Sequence, residues 1–256
     1  MLPRRIACLF LAVVLSGGGW LRAADRADLI REGLAAESRL ETRRALELFL
    51  AAEQAGTADA FLLQKIARQY SDLAVDLKTN AEKKASLERA LDYSVRAVAL
   101  EPNNAENVLS VAVCHGKLAV YSDIREKVRH SRLVREEAEK AIALSPHYAW
   151  AHHLLGRWHT EVASLGFTAQ FFLKTFYGGL PPASKAEGVR LLERAVELEP
   201  DQLVHRLELG FAYAAADQPA RARTAFEAGL AMPSRDKHDD PAKERARTAL
   251  ARLSAG

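Results

Sequence analysis

Ala-Leu-Glu-Pro at 99–102, Ala-Leu-Ser-Pro at 143–146 and Glu-Leu-Glu-Pro at 197–200 close three stretches dominated by Ala, Leu, Glu and Arg. Proline has no N–H to donate into a helix, and its ring clashes with the preceding turn. Each tetrapeptide therefore marks a place where a helix stops and the chain bends. Past residue 25 the period-two alternation of a half-buried strand is almost absent, and Gly and Pro occur only as punctuation. A thrice-repeated ending in a helical composition directs the reading to internal self-similarity.

Setting those prolines at position 32 of the 34-residue tetratricopeptide (TPR) template brings five units into register, at about 26–57, 58–102, 103–146, 147–200 and 201–234. Second-helix positions 20, 24 and 27 become Ala45/Phe49/Ala52, Ala90/Ser94/Ala97, Val134/Ala138/Ala141, Gly188/Leu192/Ala195 and Ala222/Phe226/Gly229, with Val134 and Leu192 the loose fits. First-helix position 8, where two helix backbones are expected to approach, is small in all five: Gly33, Ala67, Ala112, Gly156 and Gly210. Position 11, usually aromatic, is Tyr70 and Tyr213 in two units but Ala36, His115 and His159 in the others. The competing picture, an irregular bundle of alanine-rich helices, does not account for five units in register.

The expected fold class is all-α: a TPR-like α-solenoid of five helical hairpins with a C-terminal capping helix at about 240–253, forming one domain over 25–256. A lone hairpin cannot cover its own apolar face, so neighbours must stack around a shared core. Asp240 is the expected N-cap of the last helix, with Pro241 in its first turn. From position 8 to position 20 the template allows 12 residues, whereas Ala67 to Ala90 spans 23 and Ala112 to Val134 spans 22. Those excesses are close to three helical turns, so the helices can lengthen while nearly keeping their faces. Gly156 to Gly188 spans 32, which places an insert in unit four.

The N-terminus reads as an export signal over 1–24. Arg4 and Arg5 precede the apolar run Ile6–Leu15, Ser16-Gly17-Gly18-Gly19 breaks it, and Ala23 and Ala24 offer cleavage points before Asp25. The implied location is periplasmic or secreted; the alternative is an uncleaved anchor running to Leu21. Of 36 Lys and Arg, these 24 residues hold Arg4, Arg5 and Arg22 and no acid, which leaves 33 basic residues against 33 acidic ones. A neutral body gives no case for nucleic acid, which needs a clustered basic footprint. Once the signal and Cys8 are removed, Cys114 stands alone, so no intrachain disulfide is expected.

In a TPR array, first-helix positions 2, 5, 9, 12 and 13 face the concave surface. They are Phe61, Gln64, Arg68, Ser71 and Asp72 in unit two, and Trp150, His153, Arg157, Thr160 and Glu161 in unit four. Both sets run aromatic, polar, arginine, then an acid four residues on. One reading is a solvated helix face stiffened by i,i+4 ion pairs; the other is a groove whose arginines meet a carboxylate or phosphate beside a stacking aromatic. Unit five instead presents Val204, Leu207 and Phe211, an apolar floor to be covered by a ligand, the last helix or the insert. The insert crowds Phe167, Phe171, Phe172, Phe176 and Tyr177 around Lys174, its single charge, before Gly178-Gly179 and Pro181-Pro182. It is expected as an extra helix packed on the array, with a lid over an apolar cavity or a membrane-touching wedge as the sharper readings. His147, His152, His153 and His159 are dense, but no His-Glu-x-x-His, nucleophile elbow, Walker loop or dinucleotide fingerprint occurs. No metal, cofactor or enzymatic activity is expected.

Leu154-Leu155-Gly156-Arg157-Trp158, Val162-Ala163-Ser164-Leu165 and the insert's end at Phe176-Tyr177-Gly178-Gly179-Leu180-Pro181-Pro182-Ala183-Ser184, followed by Ala186-Glu187, carry a further reading. From about Tyr70 to Leu253 the chain resembles the TPR domain of the regulator of microtubule dynamics proteins. The resemblance implies a TPR scaffold with a protein or peptide partner, and an alternative role in binding lipid or another apolar ligand. Animal members are described as microtubule-associated or membrane-tethered. The short export signal here departs from the tethering member's long anchor, so microtubules are not an expected partner.

Overall fold

The computed structural model describes residues 18–57 and 59–255, so most of the proposed export signal, residues 1–17, lies outside the described residues. Twelve α-helices and no strand occur among the described residues. They pair as α1 (Gly18–Ser38) with α2 (Thr42–Gln54), α3 (Ala60–Asp76) with α4 (Asn80–Leu100), and α5 (Ala105–Val120) with α6 (Ile124–Leu144). Next come α7 (Ala149–Ala163) with α9 (Lys185–Leu198), flanking the inserted α8 (Phe167–Tyr177), and α10 (Leu203–Ala215) with α11 (Pro219–Ala231). The last helix, α12 (Asp239–Ala255), lies against α10 and α11. The extra residues of units two and three lengthen helices, as expected: α4 and α6 each run 21 residues.

Local chemistry sets several of the helix starts. Asp59 accepts from Leu62 N at 2.8 Å, Asp123 from Glu126 N at 3.0 Å, and Asn104 from Glu106 N at 3.0 Å. Thr79 and Glu82 form a reciprocal capping box. The last helix differs from its expected start. It begins at Asp239, whose carboxylate accepts from Arg235 N (2.7 Å) and Asp236 N (2.8 Å) of the preceding turn. Asp240 instead accepts from the Ser234 hydroxyl at 2.6 Å.

The small position 8 has two physical causes. In units one and five a Cβ at Gly33 or Gly210 would come within 2.5 Å of the Phe49 or Phe226 ring, both wholly buried. There the glycine makes room for a position-24 aromatic, not for a backbone. In unit four the backbones do meet: a Cβ at Gly156 would stand 3.0 Å from the Gly188 carbonyl and 2.8 Å from Leu192 Cγ. Leu192, a loose fit to the template, is fully buried there because it fills the space a larger residue 156 would take. Burying each of these Phe or Leu side chains contributes about 1.5–3 kcal/mol, so the register of each hairpin is strongly specified.

The insert departs from the expectation of a packed extra helix. None of the side chains of α8 is buried, and Phe167, Phe171, Phe172 and Phe176 are all exposed, Phe167 to 84%. It is held mainly by its C-terminal end. Arg132 of α6 donates to the carbonyls of Tyr177 (2.8 Å) and Gly179 (2.6 Å), and Gly178 turns the chain at φ 73°, where a side chain is disfavoured.

Candidate functional site

The first helices α3, α5, α7 and α10 form a contiguous layer joined by side chains. On α3, Gln64 is buried and donates to Glu106 of α5 at 3.1 Å, which makes it a strut between units. Phe61 is half exposed, with the Lys65 ammonium 5.6 Å from its ring centre. Arg68 reaches three acids: Glu37 (3.6 Å), Asp72 (3.7 Å) and Asp236 (3.5 Å). Asp72 is the hub of the cluster, meeting His238 Nε2 at 2.9 Å and Lys117 Nζ at 3.6 Å. Burial alone would raise the Asp72 carboxyl, but the His238 hydrogen bond and the charges of Lys117 and Arg68 outweigh it and hold the pKa below the ordinary value.

Two of these partners, Asp236 and His238, come from far along the chain, with Lys237 between them. The turn between α11 and α12 carries Asp236, Lys237 and His238 back to the first two hairpins. Lys237 donates to Thr42 Oγ1 (3.2 Å), the Asp72 carbonyl (3.0 Å) and Asp76 Oδ2 (3.2 Å). Its side chain is only 15% exposed. The ammonium thus sits at the C-terminal turn of α3, where the helix dipole favours a cation. Sequence reading missed this turn, along with Glu37 and Lys117. Its only local signal is the dense charge of Arg235-Asp236-Lys237-His238-Asp239-Asp240, which says nothing about where it docks.

Unit four uses the same pattern differently. Arg157 pairs with the exposed Glu161 at 2.7 Å and reaches Glu208 of α10 at 3.9 Å; Arg245 of α12 approaches the other Glu208 oxygen at 3.7 Å. Trp150 lies over two buried histidines, His153 (5.3 Å between centroids) and His205 (4.6 Å). Their Nδ1 atoms are 3.0 Å apart, so one carries the proton and the other accepts it. Burial pushes both imidazoles down to about 3. His115 and His130 repeat the device in unit three at 2.9 Å, with His115 lowered to about 4. His152 meets the Pro146 carbonyl at 2.9 Å, and His159 Nδ1 accepts from Ser184 N at 3.2 Å. Among the described residues no group of three or more His, Cys, Asp or Glu is placed to hold a metal ion. Cys114 is buried and its thiol is raised to about 11, mainly by burial.

The apolar floor of unit five is already roofed. Leu207 is buried in the core of the last hairpin, and Val204 and Phe211 pack against that same core with Ala246, Ala249, Leu250 and Leu253 of α12. Arg245 lies 4.7 Å from the Phe211 ring. Of the three covers considered from sequence, α12 is the one in contact. The insert instead bounds an open pocket of ≈ 600 Å³, lined by Val162, Leu165, Phe167, Phe171, Leu173 and Leu180 among others. The Phe172 ring meets those of Phe176 (5.0 Å between centroids) and Tyr177 (5.7 Å) at tilted angles. No helix among the described residues is long and apolar enough to cross a membrane.

Comparison with solved structures agrees with the hairpin array. A thermophilic TPR protein of Thermus thermophilus superposes with a TM-score of 0.65 at 17% identity, covering 90% of this chain and 100% of that one. A MamA double mutant superposes with a TM-score of 0.51 at 17% identity, covering 80% and 93%. Among curated proteins, mouse regulator of microtubule dynamics protein 1 is 28% identical over 162 residues, 63% of this chain and 52% of that protein. Xenopus laevis regulator of microtubule dynamics protein 3 is 30% identical over 138 residues, 54% of this chain and 30% of that protein. The chain thus spans about half the length of these relatives, or less. The profile described as "Regulator of microtubule dynamics protein 1-3" matches residues 26–254, nearly all of the hairpin array, and the chain belongs to this family.

Proposed function

We propose that the chain is a non-enzymatic scaffold that binds a protein or peptide partner along its first-helix layer, in the cell envelope. The observation that carries the reading is the charged cluster around Arg68 and Asp72, with a second one around Arg157, Glu161 and Glu208. Stacked helical hairpins offer an extended concave surface for such binding, and arginines set among acids there read polar, directional groups. The cell-envelope placement rests on Arg4, Arg5 and the apolar run Ile6–Leu15. The test is a peptide-library selection on the purified chain. Arg68→Ala together with Arg157→Ala is expected to lower the affinity of selected peptides at least about tenfold, a loss of about 1.4 kcal/mol. Peptides bound equally by the double variant would remove the groove reading.

A second reading is favoured by the pocket beside α8. Its volume of ≈ 600 Å³ and its mostly apolar lining, interrupted by Gln170 and Lys174, suit a small apolar ligand or an acyl chain, with the exposed rings of Phe167 and Phe171 along one side. Native mass spectrometry of chain purified from its own host tests it: a retained apolar adduct lost in Leu173→Asp supports the reading. The absence of any adduct rejects it.

A further inference from the structure

The turn Asp236–Lys237–His238 sits where the proposed scaffold would take its partner. It reaches the first two hairpins from more than 160 residues away in sequence. We infer that this turn is an internal stand-in for the partner, and that the surface made by Thr42, Asp72 and Asp76 takes a peptide segment bearing a lysine preceded by an acid. The inference rests on the groove reading and deepens it by naming the partner's chemistry.

Four observations carry it. First, the surface is built for an ammonium: one hydroxyl, one carbonyl and one carboxylate converge on Lys237 Nζ at 3.0–3.2 Å. Second, it is built for an ordered pair of charges. Arg68 meets the acid at 236, and Asp72 meets the imidazole at 238, so an acid–lysine–polar order is read along one stretch of backbone. Third, the occupant is a connector outside regular structure, and its docking uses side-chain tips and no apolar side chain. Asp236, His238 and Asp76 remain about two-fifths exposed, so only the Lys237 tip and Asp72 are well shielded, and a segment held by a few polar contacts without apolar burial opens at lower cost than a packed helix. Fourth, the turn is bonded within itself, independently of the surface it meets. Asp239 accepts from Arg235 N and Asp236 N within the same segment, and Ser234 bonds Asp240. A tethered ligand acts at an effective concentration of roughly millimolar. The turn therefore masks the surface from weak ligands and yields to a peptide that adds contacts, such as one that also covers the exposed ring of Phe61.

The experiment uses the full chain and a fluorescent peptide with the sequence of residues 232–240, beside a scrambled control. Thermal unfolding first establishes that each variant folds. The released variant Lys237→Met/His238→Ala keeps the lysine stem while removing the polar tips. It is expected to bind the peptide at least about tenfold more tightly than the wild type, whose surface is self-occupied. Adding Asp76→Asn and Thr42→Val to the released variant is expected to return binding to the scrambled level. Equal binding by wild type and released variant would overturn the inference, as would binding indifferent to Asp76 and Thr42. A released variant that dimerises without taking the peptide would also overturn it, in favour of exchange between copies. Library peptides bound equally by wild type and released variant would leave the groove reading standing and sink this inference alone. No peptide bound by either would sink both.

Discussion

Units two and four carry the same sequence pattern on their first helices, yet the structure uses it in opposite ways. On α3 the acid is the buried partner: Asp72 is 15% exposed and gathers Arg68, Lys117 and His238. On α7 the acid is the exposed partner, with Glu161 at 60%, and the buried chemistry has moved to the polar position, where His153 pairs with His205. Phe61 stands half in solvent, while Trp150 is folded over the histidines. An i,i+4 arginine–acid pair is therefore no measure of function by itself. What distinguishes the two is which residue a distant element covers: the 236–238 turn covers Asp72, and α10 covers His153.

The largest expected effect separates the two units by pH. His153 and His205 ionise in the unfolded chain near 6.5 but near 3 in the folded one, and α3 has no histidine. Below pH 6.5 the unfolded chain therefore takes up protons that the native pair refuses, so their contribution is complete above that pH and is lost as pH falls towards 3. The loss at pH 3.5 is expected to be several kcal/mol, since each tenfold weakening of proton binding corresponds to about 1.4 kcal/mol. Urea unfolding from pH 7.5 to 3.5 measures it. His153→Phe/His205→Leu should make the acid limb shallower, leaving the share of His115, His130 and Asp72, and an unchanged limb would assign the acid sensitivity to those groups.

Packing gives the next contrast. Gly156→Leu forces a side chain against the Gly188 backbone and Leu192, and should cost about 3 kcal/mol. Ala67→Gly at the same position of unit two should cost about 0.5–1 kcal/mol. Chemical denaturation compares them, and near-equal losses would mean that the helices of unit four part easily. Smaller again, Asp72→Ala should cost about 2 kcal/mol by removing the charged acceptor that Arg68, Lys117 and His238 share. Glu161→Ala should cost no more than about 0.5 kcal/mol, as expected of an exposed helix pair. Equal losses would erase the distinction between the two acids. The smallest effect belongs to the insert. Replacing Phe167, Phe171, Phe172 and Phe176 by Ser should leave the melting temperature within a few degrees, because none is buried. A large drop would show that α8 packs on the array.

Much of the site was legible at the level of helix faces, and little of it at the level of contacts. The template placed Arg68, Asp72, Arg157 and Glu161 on one layer, because a helix repeats every 3.6 residues whatever it touches. It also placed Leu207 on a groove floor, whereas that side chain is core, covered through α11 and α12. Gln64 and His153 were expected to face a ligand and instead bridge to Glu106 and His205. Helical periodicity names the face a residue occupies but not the element that comes to lie on it.

The sequence by itself determined the hairpin register, the lengthened middle helices and the position of the insert. Each follows from local physics: proline stops, glycine opposite a bulky residue, and whole helical turns added between fixed faces. Tertiary structure decided the rest: that α8 stands exposed beside a pocket, that α12 roofs unit five, and that residues 236–238 fill the surface beside Asp72. Those outcomes depend on how far the stacked hairpins curve. Curvature is the sum of small rotations at every interface, a quantity no single repeat encodes.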